Sequence, residues 1–161
     1  ESVESMNSGF SSERYLESVR QDEDAFIDKS RFSLALVREQ LMAGDLSTAS
    51  ISTIKVITAF RHHPSSSGDS LTSVICNEVV DRVAEDEPLA QRVLVTDHQA
   101  HAGLPPAVFD AVFMAWFPSL ALAQAHLRSA NRAQAELALA GLVFGRFDLL
   151  ATEIHVVATH G

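Results

Sequence analysis

Apolar residues recur at three- and four-residue spacing along much of the chain, and this pattern predicts helices. Tyr15, Leu16 and Val19 share one face over 12–20, and 21–29 is a charge-rich connector or a continuation of that helix anchored only by Phe26 and Ile27. Ser30 can cap a helix over 31–43 whose buried side carries Phe32, Leu36, Leu41 and Met42; Gly44 supplies the left-handed residue on which helices often end. Asp45 suits the N-cap of a segment running to about Phe60, with Leu46, Ala49, Ile54 and Ile57 near helical spacing. The run 51–58 is mostly β-branched, however, so a strand over 50–58 is the alternative there. Residues 62–70 (HHPSSSGDS) can sustain neither period and read as a loop. Asp69 or Ser70 then opens a helix through Leu71, Val74, Ile75, Val79 and Val83, ended by the acidic cluster 85–87.

Pro88 suits the first turn of a helix over 88–96, and 97–103 is a second polar loop closed by Leu104-Pro105-Pro106. Beyond it the pattern is apolar almost all round. Helices are expected over 106–117, over 119–128 after the break at Pro118, and over 132–144 after a cap at Asn131. Gly145 ends the last of these. Asp148 can cap a final helix over 149–159, with a short strand over 154–158 as the alternative. The expected fold class is all-α: one irregular bundle of six to eight helices with the apolar C-terminal helices, 106–158, at its centre. Residues 1–10 read as a frayed lead-in and 11–161 as a single helical domain.

A chain of 161 residues and 17.5 kDa suits one compact domain that needs no disulfide or metal staple. Its net charge is −9, and the charge is concentrated in front: residues 1–30 hold eight acids against three bases. That balance disfavours nucleic acid and an anionic membrane surface as partners. The longest uncharged run, 111–127, has 17 residues and contains a proline, so no membrane span is expected. With the single cysteine Cys76 and no secretory leader pattern, a cytoplasmic or other reducing compartment fits best.

Three groups of residues have the chemistry for a site. His98 and His101, three apart beside Asp97, could share a metal ion, and His62 or His63 could join them if the two polar loops meet. His126 on an apolar helix could be a haem ligand or the polar handle of a ligand pocket. Cys76 has Glu78 and Asp81 as neighbours, which discourages the thiolate. The common hydrolase and nucleotide-binding signatures are missing. The remaining signal is a surplus of aromatic residues, chiefly Phe109, Phe113, Trp116, Phe117 and Phe144, that could meet a partner. The leading expectation is therefore a non-catalytic regulatory or interaction module. It would self-associate or dock a protein partner through its apolar C-terminal helices. A helical sensor for haem or another small molecule is the first alternative, with a pocket between 106–117, 119–128 and 132–144. A metal site built from His62, His63, Asp97, His98 and His101 is the second; no cofactor is named.

Overall fold

The computed structural model describes residues 3–26, 35–98 and 107–152. They fall into two units, divided after Ser33. In the first unit, α1 (Val3–Phe10) is followed by a π-helical stretch, Tyr15–Val19, and by α2 (Arg20–Phe26). The Tyr15 hydroxyl donates to Glu23 at 2.7 Å, and its ring meets that of Phe10 edge-on.

The second unit is built on strands. In chain order it contains β1 (Val37–Gly44), β2 (Ile54–His62), α3 (Gly68–Val74), a π-helical stretch (Ile75–Val79) and α4 (Val80–Ala84). Then follow β3 (Ala90–Thr96), β4 (Ala111–Phe117), α5 (Leu120–Leu127), α6 (Ala130–Ala138) and β5 (Val143–Thr152). The five strands form one sheet in the order β1-β3-β4-β2-β5, and every neighbouring pair is antiparallel. β2 and β3 both flank β4, so they run parallel, with the helical segment 68–84 as their crossover. β4 and β5 flank β2 in the same way, joined by α5 and α6. Two interlocked split βαβ units of this kind make a ferredoxin-like α+β fold, here extended by β1 at one edge.

Strand alternation decides what is buried where. Val56 and Phe60 of β2, Val93 of β3, and Phe113, Ala115 and Phe117 of β4 point to one face. There they pack with Leu71, Ile75, Val83, Ala123 and Ala135 of the helices in a single apolar core. Each of the large side chains contributes roughly 1.5–3 kcal/mol by leaving water. The intervening residues of β4, Val112, Met114 and Trp116, lie on the opposite face. Trp116 is only 2% exposed. The Lys55 ammonium lies 4.8 Å and the Arg92 guanidinium carbon 5.6 Å from its ring centre. Two cations on one indole attract through its quadrupole, and their aliphatic stems cover it.

The all-α expectation is thus overturned. Of the segments expected as helices, 31–43 and 45–60 supply β1 and β2, 88–96 supplies β3, 106–117 supplies β4, and 132–144 gives way to β5 after Leu139. The helical interaction module falls with them, because the apolar helices it required are strands. So does the three-helix sensor pocket, since the first of its three walls is β4 and the last runs out into β5. The physical reason is clearest at β4, whose seven residues are all apolar and buried or half-buried on both faces. A strand covered on both sides has no period of two to display. Gly44 is instructive: its φ of +82° is the left-handed conformation expected, and a Cβ there would collide with the Leu89 carbonyl. It ends a strand, however, and not a helix. Residues 154–158 lie outside the described part. Among the described residues, no helix is long and apolar enough to cross a membrane.

Candidate functional site

At one end of the sheet the chain leaves β2 at His62, leaves β3 toward His98, and enters β4 from Asp110. β4 lies between the other two strands, so Asp110 has one of them on each side. Its backbone continues both ladders: its N–H donates to the Phe60 carbonyl, and its carbonyl accepts from the Thr96 N–H, each at 2.9 Å. These bonds fix the Cα, and the side chain, 9% exposed, has little freedom left.

Both carboxylate oxygens are engaged. Oδ2 accepts the His62 backbone N–H at 2.7 Å and has His62 Nδ1 at 2.9 Å. Oδ1 has His98 Nε2 at 2.9 Å. The His62 ring contact is electrostatic: its buried Nδ1 makes no aligned hydrogen bond. The His98 contact is likewise an ion-pair approach. Its side chain is 54% exposed and that of His62 33%, so solvent or a ligand can reach both rings. Two imidazoles beside one buried carboxylate bring together the residue types used in general acid–base chemistry.

A hollow of about 180 Å3 is lined by Ala59, Arg61, Val108, Phe109, Gly145, Arg146 and Phe147. Arg61 and Phe109 are the chain neighbours of His62 and Asp110. The Phe109 and Phe147 rings are 5.2 Å apart. The lining therefore offers two aromatic rings.

The other expected site residues lie apart. His63 turns to its own loop, with Nδ1 2.6 Å from the Ser65 hydroxyl. Asp97 is tied by its backbone N–H to the Leu36 carbonyl at 2.8 Å. His101 lies outside the described residues, and among those described no group of three or more His, Cys, Asp or Glu converges to hold a metal ion. Phe113 and Phe117 are core residues, Trp116 is covered on the opposite face, and Phe144 stands 55% exposed on β5 under the Arg61 guanidinium. Asp110 is the residue the sequence reading missed. A lone carboxylate between Phe109 and Ala111, at the head of a wholly apolar segment, was the available signal.

His126 forms a second, closed cluster. Its ring stacks on Phe117 at 4.9 Å, and its Nδ1 is 2.6 Å from Asp86 Oδ2. Asp86 also accepts from the Ser129 hydroxyl and the Asn131 amide, each at 2.7 Å. Burial pushes the His126 pKa down against the pull of Asp86, and the positive charge of Arg132 adds to the lowering. Burial works the other way on Asp86, but its hydrogen bonds from His126, Ser129 and Asn131 prevail and hold the carboxyl below its ordinary value. The pair is thus a neutral imidazole donating from Nδ1 to a carboxylate. Its Nε2 is buried with no hydrogen-bond partner.

Compared by sequence, the chain matches no protein-family model and no curated protein. Compared by structure, it is similar to an anthrone oxidase-like protein, with a TM-score of 0.68 and 15% identity over 95% of this chain and 68% of that one. It is also similar to a putative monooxygenase of Fusobacterium nucleatum subsp. nucleatum, with a TM-score of 0.54 and 12% identity, over 83% of this chain and 59% of that one. A dimeric ferredoxin-like protein of unknown function from Thermobifida fusca YX gives a TM-score of 0.47 and 16% identity, over 74% and 99% of the two chains. At such identities the likeness establishes the ferredoxin-like fold.

Proposed function

We propose that this chain is an enzyme that takes a proton from a small aromatic or ketonic molecule. His98 is the general base, and Asp110 holds it. The observation that carries this reading is the 2.9 Å approach of the exposed His98 ring, through Nε2, to a carboxylate fixed by the β-ladder. Nδ1 is then the nitrogen left to accept the proton. His62, whose backbone N–H pins Oδ2, positions the carboxylate. The hollow lined by Phe109 and Phe147 has room for about one aromatic ring, by comparison with cavities of similar size that take benzene. Two structures of the same fold bear names of oxidation chemistry, an anthrone oxidase-like protein and a putative monooxygenase. Deprotonation is a sensible first step toward oxidation, because a carbanion or phenolate gives up electrons more readily than its conjugate acid.

The test is proton exchange. Single-ring aromatic ketones with an acidic C–H are incubated with the chain in D2O without dioxygen and followed by NMR. Exchange is expected to run about 100-fold faster than in the Asp110→Asn variant, in line with the usual contribution of a positioned base. Equal rates in the two proteins sink the proposal. Dioxygen uptake in air then separates an oxidase from an enzyme that stops at proton transfer.

A further inference from the structure

The sheet has two edge strands of opposite character. β1 carries Arg38, Glu39 and Gln40, and a bulge between Glu39 and Leu41 interrupts its pairing with β3. Charges and bulges are how natural sheets prevent further pairing. β5 carries only the opposite charges Arg146 and Asp148, and its one irregularity lies at its start, opposite Arg61 and His62. It pairs with β2 in unbroken register from Gly145 to Thr152. Among the described residues no strand lies on its other side. Phe144, Phe147, Leu149 and Leu150 are exposed along it, on both faces of the sheet. A long, flat, apolar edge of this kind invites another strand.

We infer that a second copy of this chain pairs along β5, antiparallel and centred on Phe147, to give a ten-stranded sheet across a two-fold axis. The sequence of β5 is self-complementary about that point. Arg146 falls opposite the partner's Asp148, and Asp148 opposite the partner's Arg146. Phe144 falls opposite the partner's Leu150, and Phe147 meets its own copy. Opposite charges and apolar pairs facing across strands are the unit of sheet stabilisation. The two neighbouring registers that keep the helices on one side are centred on Arg146 and on Asp148. They oppose like charges at the axis, so the charge pattern selects the Phe147 register. The charged pair already stands on the helix side of the strand, where Arg146 reaches Glu136 at 2.7 Å and Asp148 at 3.3 Å. The contact is isologous, as closed dimers require.

The test is oligomeric state and register in the full chain. Light scattering is expected to give a dimer. Phe147→Lys places two ammonium groups at the axis and is expected to weaken the dimer at least tenfold, with its melting transition retained. A Phe147→Cys variant in a Cys76→Ser background is expected to form a disulfide-linked dimer on air oxidation, since residues opposite each other across a strand pair fall within disulfide reach. Leu149→Cys in the same background is expected not to cross-link, because its copy lies two residues beyond the axis on each side. A monomeric chain, a dimer indifferent to Phe147→Lys, or cross-linking at 149 and not at 147 each overturns the inference. If Phe147→Lys fails to fold, the paired cysteine variants decide it.

Discussion

Two carboxylate–histidine clusters lie in this fold, alike in composition and opposite in setting. Asp86 holds His126 where the ring is sealed between Phe117 and the α5–α6 turn, with 0% of its side chain exposed. Asp110 holds His62 and His98 at the end of the sheet, where both rings reach water. In the first cluster the carboxylate gathers three donors from one helical hairpin, and the histidine is neutral and without access. That arrangement suits a structural clasp. In the second, the carboxylate itself is the buried member and the imidazoles face out, so a proton can arrive and leave. The same pair of residue types thus stands closed in one place and open to solvent in the other, according to which partner is buried.

The largest expected effect lies in the closed cluster. Asp86→Ala removes the acceptor of His126, Ser129 and Asn131 at once and leaves the buried Nδ1–H without a partner. The expected loss is on the order of 3 kcal/mol in urea unfolding. Asp110→Ala is expected to cost about 1 kcal/mol, since the half-exposed rings it releases are rehydrated and one backbone N–H loses its acceptor. Equal losses would break the distinction between clasp and site.

Acid is the next probe. His126 has a folded pKa below its ordinary 6.5. The unfolded chain therefore binds a proton there that the folded chain refuses, and stability falls as pH drops below about 6.5. Asp86 acts lower down: with its folded pKa held under 3.8, it stabilises the fold above that value. This contribution disappears as pH falls through the folded pKa. Unfolding midpoints measured from pH 8 to pH 3 should show two declines, and His126→Asn should remove the upper one. An upper decline that persists in that variant would show that His126 is not its source.

Reagent access sharpens the same contrast with a smaller signal. Diethyl pyrocarbonate is expected to modify His62 and His98 within minutes in the folded chain and to leave His126 intact, as read by peptide mass spectrometry. Modification of His126 at a comparable rate would show that the clasp opens in the native state.

Where burial was one-sided, the sequence displayed it. The helical segment 68–84 exposes a polar face, and its apolar positions Leu71, Ile75, Val79 and Val83 kept their spacing. Helices α5 and α6 were visible for a related reason, their good helix formers and nearby caps, although the residue that caps α6 is Ser129 and not Asn131. Where burial was two-sided, the pattern vanished. Val112, Met114 and Trp116 are as apolar as Phe113, Ala115 and Phe117, so β4 imitates a buried helix. In β5, Gly145 and Asp148 looked like a helix stop and a helix cap, whereas Asp148 in fact binds Arg132 and Thr58 across the sheet. The β-branched run in β2 was the one correct hint of a strand. At the site, His62 and His98 could be named from composition, but their junction could not. It depends on β4 entering between β2 and β3, a fact of topology that no local spacing encodes.

The smallest expected effect on stability is also the most discriminating for function. His98→Gln keeps an N–H that can donate to Asp110 Oδ1 and removes the second ring nitrogen. The residue is more than half exposed and makes a single ion-pair contact, so the folding cost should stay below about 0.5 kcal/mol. Proton exchange from the substrate should nevertheless fall about 100-fold, because an amide cannot accept the proton at neutral pH. His62→Gln provides the control within the cluster: it retains the backbone N–H that pins Oδ2, so exchange should fall much less. If His62→Gln removes exchange and His98→Gln preserves it, the roles of the two rings are reversed. If His98→Gln unfolds the chain as severely as Asp86→Ala does, the exposed cluster is a second clasp, and the contrast between the two clusters does not hold.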